Sequence, residues 1–280
     1  MTRPTPASPT PDSPTQSTPD PATPLAVVTG ASTGIGREIA RELASRGYDL
    51  VVCADEPQIE HAAAAVMSGT TTATAVQADL ATEDGVRLLV DRVRDLGRPV
   101  DALVLNAGVA AGGPFLETSW AEDARLVALN VNHVLAVAKE LLPDMVRRGR
   151  GQVLVTSSIA ATMPGPWYAT YAASKAFLHS FAQALRFELK DTGVTVTSLL
   201  PGPTDTMFFE RAGMQDTEVY DTTKDDPAEV ARDGVEAMLE GADAVVAGSL
   251  RNKVQALATN LLPEQVKARL HASLTKEKDD

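Results

Sequence analysis

The segment YATYAASKAF, residues 168 to 177, sets two tyrosines and a lysine at spacings that matter for proton transfer. Tyr171 and Lys175 are four positions apart, so on a helix they share one face about a turn from each other. Tyr168 lies seven positions before Lys175, two turns away and too far for direct coupling. A free tyrosine, with a pKa of about 10, is a poor general acid or base at neutral pH. A nearby ammonium favours the phenolate, and each unit of downward shift needs about 1.4 kcal/mol of differential interaction. Tyrosines are also common packing residues and lysines common surface ones, so the elements around this segment must decide.

A second segment, VVTGASTGIGRE, carries Gly30, Gly34 and Gly36 with Ser32, Thr33 and Ile35 between them. It stands between an apolar run and a helical pattern, where a dinucleotide's phosphates bind. Gly30 allows a tight exit turn, Gly34 lets backbone approach a pyrophosphate, and Gly36 lets the helix pack closely on the sheet. The amino terminus of the following helix then faces the anion.

These segments need a frame that brings them together. Apolar runs at PLAVVTG, YDLVVCA, ATAVQAD, DALVLNAG, GQVLVTSS, VTVTSLL and ADAVVAG read as strands. Helical patterns separate them: residues 34–46, IEHAAAAVM, TEDGVRLLVDRVRDLG, residues 120–148, residues 168–191 and DPAEVARDGVEAMLEG, with Pro227 suited to a first helical turn. Two further helical segments, broken near Pro263, end the chain. Strands apolar on both faces and alternating with helices mean a covered parallel sheet. The expected fold is α/β, a Rossmann-like, doubly wound parallel sheet of about seven strands with helices on both faces. Ligands in that architecture sit at the carboxyl ends of the strands, where the informative segments fall.

From Gly30, Gly34 and Gly36 onward the chain resembles the short-chain dehydrogenase/reductase family, in its compact single-domain branch. Asn106, Ala107 and Gly108 match the triplet this family keeps beside the cofactor, and Asp79 and Leu80 match its adenine-contacting pair. Asn130 matches an asparagine in the long helix, and Ser158, Tyr171 and Lys175 match the catalytic trio. PGPTDT, with Pro201, Gly202, Thr204 and Thr206, matches the loop that holds the nicotinamide carboxamide. The interval of thirteen residues from Ser158 to Tyr171 is the family's usual one, whereas Tyr168 would leave ten. The resemblance implies that Tyr171 protonates a carbonyl oxygen as hydride arrives, or deprotonates an alcohol in reverse. It implies that Ser158 hydrogen-bonds that oxygen, that Lys175 holds the nicotinamide ribose and, helped by the positive ring of oxidised cofactor, favours the phenolate, and that Asn130 anchors a proton-relaying water. Tyr168 and Trp167 are expected to line the substrate mouth or pack beside it.

The expected cofactor is NAD(H), favoured over NADP(H). An acid about 20 positions beyond the glycines binds ribose hydroxyls in NAD enzymes. Asp55 lies nineteen after Gly36, and with Glu56 and no cation nearby in sequence it should repel a 2′-phosphate. The opposing reading makes Asp55 a solvent-facing loop charge, since NAD-selective relatives usually carry the acid one place earlier, where Ala54 stands.

Composition narrows the rest. The 280 residues are 44% hydrophobic, enough for one large domain over residues 25–275. Residues 1–24 form a Pro/Thr/Ser-rich stretch read as a disordered tail, and residues 276–280 as a frayed end. A net charge of −12 argues against nucleic acid and anionic membrane as partners. No apolar stretch is read as approaching the roughly 18 residues of a spanning helix. Cys53, the only cysteine, excludes an intramolecular disulfide and reads as a packing thiol. His61, His133, His179 and His271 lack metal-ligand spacing and read as surface or helix residues, so no metal is expected.

Between PGPTDT and DDPAEVA, residues 207–224 read as a lid, with Met207, Phe208 and Phe209 as apolar substrate contacts or local packing. The combined expectation is a cytoplasmic oxidoreductase acting on a small alcohol or carbonyl compound, hydrophobic in character, and assembled as a homodimer or homotetramer through the helices beginning near Trp120 and Tyr168. The main alternative is a sensor or interaction protein that binds dinucleotide without turnover. A second is epimerase or dehydratase chemistry on the same fold, for which the chain has no longer substrate domain.

Overall fold

Each apolar run becomes a strand because its alternate side chains find cover on opposite faces. In the computed structural model, which describes residues 23–67, 70–249 and 263–276, the strands are β1 (Leu25–Thr29), β2 (Asp49–Ala54), β3 (Ala73–Gln77), β4 (Val100–Leu105), β5 (Gly151–Thr156), β6 (Val194–Pro201) and β7 (Ala244–Ala247). Among the described residues they form one seven-stranded sheet in the order β3-β2-β1-β4-β5-β6-β7, every pair parallel. Leu25 and Val27 face one layer of helices, while Ala26 and Val28 face the other.

The first layer holds α3 (Glu83–Asp95), α5 (His133–Arg148) and α6 (Ala169–Glu188), which contribute Leu89, Val137 and Leu178 to the core. The second holds α1 (Gly34–Ser45), α2 (Ile59–Val66) and α9 (Pro227–Glu240), which contribute Leu43, Ile59 and Val235. The sheet is therefore doubly wound. β3 and β7, the edge strands, are only half-buried along most of their length, unlike the strands between them, which are buried at all or all but one position. Strand order reverses between β1 and β4, and the crevice opening there is where such folds bind ligands.

Helix ends follow local chemistry. Asp226 caps α9 by accepting from the Ala228 N–H, and Pro227 occupies the first turn as expected. The helix expected over residues 120–148 is a composite: α4 (Trp120–Val127), a π-helical turn over Ala128–Asn132, then α5. Ser119 and Glu122 close a reciprocal capping box at its start. π turns inside helices cluster at functional sites, and this one carries Asn130.

This composite also corrects an expectation. By length and mean hydropathy, its 29 residues suffice to cross a membrane. The apolar face instead buries Leu126, Val134, Val137, Leu141 and Met145 within the protein, which is how a core helix passes the same test.

Short helices α7 (Phe208–Arg211) and α8 (Glu218–Asp221) form the expected lid segment, and α10 (Glu264–Thr275) packs against α8. Residues 1–22 of the expected tail, the first of the two C-terminal helical segments and residues 277–280 lie outside the described residues. Cys53 is a buried packing thiol, its pKa pushed up to about 12 by burial.

Candidate active site

The carboxyl end of β1 and the amino end of α1 are joined by the glycine turn, and its geometry depends on glycine at two points. Gly30 has φ +68, a conformation L side chains rarely adopt, and its N–H donates to the Cys53 carbonyl at 2.8 Å. A Cβ on Gly36 would lie 2.1 Å from the Gly30 carbonyl oxygen and 2.4 Å from Asn106 Nδ2. Asn106 stitches the turn to β4: its Nδ2 donates to the carbonyls of Thr29 (3.0 Å) and Gly30 (3.3 Å). The Thr29 hydroxyl accepts from the N–H groups of Asn106 and Ala107. Thr29 was not among the expected site residues, yet it fixes both loops; a strand-end threonine carries no sequence signal for that role.

A cavity of about 700 Å³ opens over this turn at the carboxyl ends of the strands. Ser32, Thr33, Gly34, Ile35 and Gly36 line it from the glycine turn, and Asp55, Asp79 and Leu80 from the ends of β2 and β3. Asn106, Ala107 and Gly108 follow from β4, and Pro201, Gly202, Thr204 and Thr206 from β6. Thr206 reaches the glycine turn itself, its Cγ2 3.0 Å from where a Gly34 Cβ would stand. Every position expected to touch the cofactor thus faces one cavity, and the side-chain-free cradle at Gly30, Gly34 and Gly36 fits a dinucleotide's phosphates.

Ser158, Tyr171 and Lys175 line the same cavity. Ser158 follows β5; its hydroxyl accepts from the Ala160 N–H at 3.1 Å and lies near enough to the Tyr171 phenol to favour its ionised form. Lys175 Nζ donates to the Thr156 carbonyl at 3.0 Å and sits 5.7 Å from the centre of the Tyr171 ring. Asn130 lies just behind the cavity wall. Its Nδ2 donates to the Val109 carbonyl (2.9 Å) and to Ser174 Oγ (3.0 Å), and its Oδ1 accepts from the Val109 N–H (2.9 Å). The bare α-carbon of Gly108 keeps Asn130 and Lys175 close: a Cβ there would lie 3.1 Å from Asn130 Oδ1 and 3.3 Å from Lys175 Nζ.

The saturated Asn130 amide carries a stability prediction. Asn130→Ala leaves the Val109 N–H and C=O and the Ser174 hydroxyl short of a partner inside the protein. Thermal and urea unfolding should show a loss of about 2–4 kcal/mol. A loss indistinguishable from zero would mean water replaces the amide without cost.

Electrostatics add to the sequence reading in two places. Burial pushes Tyr171 up to about 12, opposed only by Ser158, and burial pulls Lys175 down to about 8. Burial thus favours the neutral phenol, against the effect expected of Lys175 together with the positive ring of oxidised cofactor. The second concerns Asp55 and Glu56, which have cations beside them after all. Arg125 of α4 donates to Asp79 (2.8 Å) and Asp55 (3.4 Å), and Arg211 of α7 pairs with Glu56 at 2.9 Å. The Arg125 hydrogen bond lowers the Asp79 pKa.

The substrate end of the cavity is aromatic. Tyr168 is buried, its ring 5.7 Å from that of Tyr171, and Phe208 packs 5.4 Å from Tyr171 on another side. Of the three expected lid contacts, Phe208 and Phe209 pack against each other and Met207 is exposed, though all three reach the cavity. His271, read as a surface or helix residue, lies on α10 with its side chain buried and hydrogen-bonded to the Tyr168 hydroxyl. No sequence pattern points to this: the two residues are 103 positions apart.

Comparison with known proteins agrees with this arrangement. The family model described as short chain dehydrogenase matches residues 24–217. An oxidoreductase, UcpA, of Salmonella typhimurium is 31% identical over 214 residues, covering 76% of this chain and 79% of that protein. A short-chain dehydrogenase from Sphingobium yanoikuyae, solved in complex with NADPH, superposes with TM-score 0.75 at 28% identity, covering 84% of this chain and 92% of the other. A 3-ketoacyl-(acyl-carrier-protein) reductase from Brucella melitensis, complexed with NADH, gives TM-score 0.74 at 25% identity over 82% of this chain and 98% of its own. With the glycine turn, the Ser158–Tyr171–Lys175 cluster and the switch-point cavity all in one sheet, the chain belongs to the short-chain dehydrogenase family.

Proposed function

We propose that the protein interconverts a secondary alcohol and a ketone with a nicotinamide cofactor, using Tyr171 as general acid and base. The observation that carries this is the Tyr171 phenol one helical turn from Lys175, inside the cavity that Ser158 also lines and that holds the glycine cradle. The cofactor, when bound, supplies or accepts hydride. In reduction, the neutral phenol of Tyr171 passes its proton to the carbonyl oxygen while Ser158 hydrogen-bonds that oxygen and stabilises its developing charge. In oxidation, Tyr171 takes the alcohol proton. Lys175, anchored on the Thr156 carbonyl, holds the nicotinamide ribose and places positive charge behind the phenol. Asn130 keeps the π turn and the loop after β4 in register behind Lys175.

The substrate is a hydrophobic carbonyl compound or alcohol, a reading supported by Phe208, Met214, Val219 and Leu274 around the far end of the cavity. Assembly as a homodimer or homotetramer through the composite helix from α4 to α5 and through α6 belongs to the same proposal, and the exposed rings of Trp120, Phe177 and Phe187 on those helices support it. Assay of the purified protein with reduced cofactor across a ketone panel tests the reaction. Tight cofactor binding with no turnover of any ketone or alcohol would favour the sensor reading instead.

NAD(H) remains the favoured cofactor. The two guanidinium groups near the adenosine end are committed to carboxylates: Arg125 to Asp55 and Asp79, Arg211 to Glu56. A 2′-phosphate there would have to displace them and face the freed acids. Titration followed by nicotinamide fluorescence should show NADH binding about 10-fold or more tighter than NADPH. Preference for NADPH would mean that Arg125 or Arg211 exchanges its carboxylate for the phosphate, overturning this assignment.

A further inference from the structure

The turn that delivers the catalytic helix is under strain, and something outside that helix holds it. Trp167 has φ +61, the one positive φ at a non-glycine position among the described residues. It stands immediately before Tyr168 and four positions before Tyr171. Strained backbone persists only where its surroundings over-determine it. Here three carbonyls of the turn are tied. The Pro164 oxygen contacts His271 Nδ1 at 2.9 Å, the Pro166 oxygen accepts from Thr275 Oγ1 at 2.8 Å, and the Trp167 oxygen accepts from the Gly113 N–H at 2.7 Å. Two of the three ties come from α10. Gly165 makes the turn possible, since a Cβ there would fall 2.5 Å from that of Ala172.

His271 adds a fourth tie, and its tautomer follows from its partners. A carbonyl only accepts, so Nδ1 carries the proton towards Pro164, and in the neutral ring Nε2 accepts from the Tyr168 hydroxyl. Burial lowers the His271 pKa, in keeping with a neutral imidazole. The two rings meet edge to face, centroids 5.1 Å apart, and Tyr168 in turn packs on Tyr171.

Resting on the catalytic reading above, we propose that His271 is a positioning and specificity-determining residue: carried in by α10, it locks Tyr168 as the far wall of the substrate pocket and limits the bulk of the carbonyl substituent that fits beside Tyr171. Leu274 and Thr275 of the same helix line the cavity next to it. The wall spends its polar atoms internally. Both His271 nitrogens and the Tyr168 O–H are used, so the wall offers no free donor to a substrate, and an apolar substituent is what it accommodates.

Two measurements on the full-length protein test this. In the first, His271→Ala is compared with the wild type for NADH-dependent reduction of a small aliphatic ketone and of a bulky aryl ketone. The kcat/KM ratio of bulky to small ketone should rise about 10-fold, chiefly through KM, with the NADH Kd within about twofold of wild type. An unchanged ratio in a variant that still binds NADH would overturn the proposal. The second needs no turnover: ¹⁵N-resolved NMR of the histidine rings in the resting protein. His271 should appear as the neutral Nδ1–H tautomer, and Tyr168→Phe should move its Nε2 resonance. A His271 ring averaging between tautomers, indifferent to Tyr168→Phe, would show that the wall does not form. If the wild type turns over neither ketone, the catalytic reading fails, and the NMR result alone decides whether α10 locks Tyr168.

Discussion

Tyr171→Phe should lower kcat/KM for ketone reduction by about 10²–10⁴-fold, while Tyr168→Phe costs far less and does so mainly through KM. The two phenols are neighbours of the same chemical type, so this pair of variants isolates position from composition. Of the two, Tyr171 has Lys175 over its ring and Ser158 favouring its ionised form. The Tyr168 hydroxyl is committed to His271, and Tyr168 lies seven positions from Lys175, so it is not placed to serve as the proton donor. Removing the Tyr171 oxygen removes the acid and leaves the ring packing on Tyr168 and Phe208 in place. NADH titration separates the lost proton transfer from lost binding. Equal loss in both variants would contradict the mechanism.

The pH dependence has a definite sign. Tyr171 is pushed up to about 12, so the neutral phenol needed for reduction is present throughout the physiological range. Alcohol oxidation needs the phenolate, so its rate in the wild type should climb as pH rises above neutrality, while ketone reduction stays level and then declines. The Tyr171→Phe variant should lose that slope along with its activity. An oxidation rate that fell with rising pH would point to a different base.

The parts of this site that could be read from sequence are those written in local patterns. The strand runs, the interval between Tyr171 and Lys175 and the glycine turn each depend on neighbours within a few positions, where backbone periodicity acts. What escaped depends on contacts between distant segments. Arg125 reaches Asp55 across 70 positions and His271 reaches Tyr168 across 103, so no spacing records either pairing. The acids after β2 therefore read as lacking cations, and His271 as filler. Burial was equally invisible: an i, i+4 spacing shows that Lys175 shares a face with Tyr171 but not that both are desolvated, and desolvation pushes the Tyr171 pKa upward. The π turn at Asn130 has no signature either, because Ala128–Asn132 is as helical in composition as its flanks.

The glycine turn allows the second large effect to be separated from general destabilisation. Gly36→Ala should cut NADH affinity about 100-fold or more, a loss of about 2.8 kcal/mol in binding, because the turn that receives the phosphates must shift. The added carbon cannot be accommodated by side-chain motion alone. One of its clashes, at 2.1 Å, is with the backbone carbonyl of Gly30, and another, at 2.4 Å, is with Asn106 Nδ2, which holds that same carbonyl. Relief requires α1 to move away from the β1 exit or Asn106 to release it, and either movement opens the cradle. Overpacking of this kind also costs about 1–3 kcal/mol, a fall of about 5 °C in Tm. Gly97→Ala supplies the comparison. Gly97 has φ +61, and a Cβ added there would meet nothing within 4 Å, so alanine brings backbone strain without a clash, far from the cavity. Both variants should melt earlier, but only Gly36→Ala should lose NADH. Retention of wild-type NADH affinity by a folded Gly36→Ala protein would mean that the phosphates do not lie on this turn, and the cofactor placement argued from Gly30, Gly34 and Gly36 would fall with it.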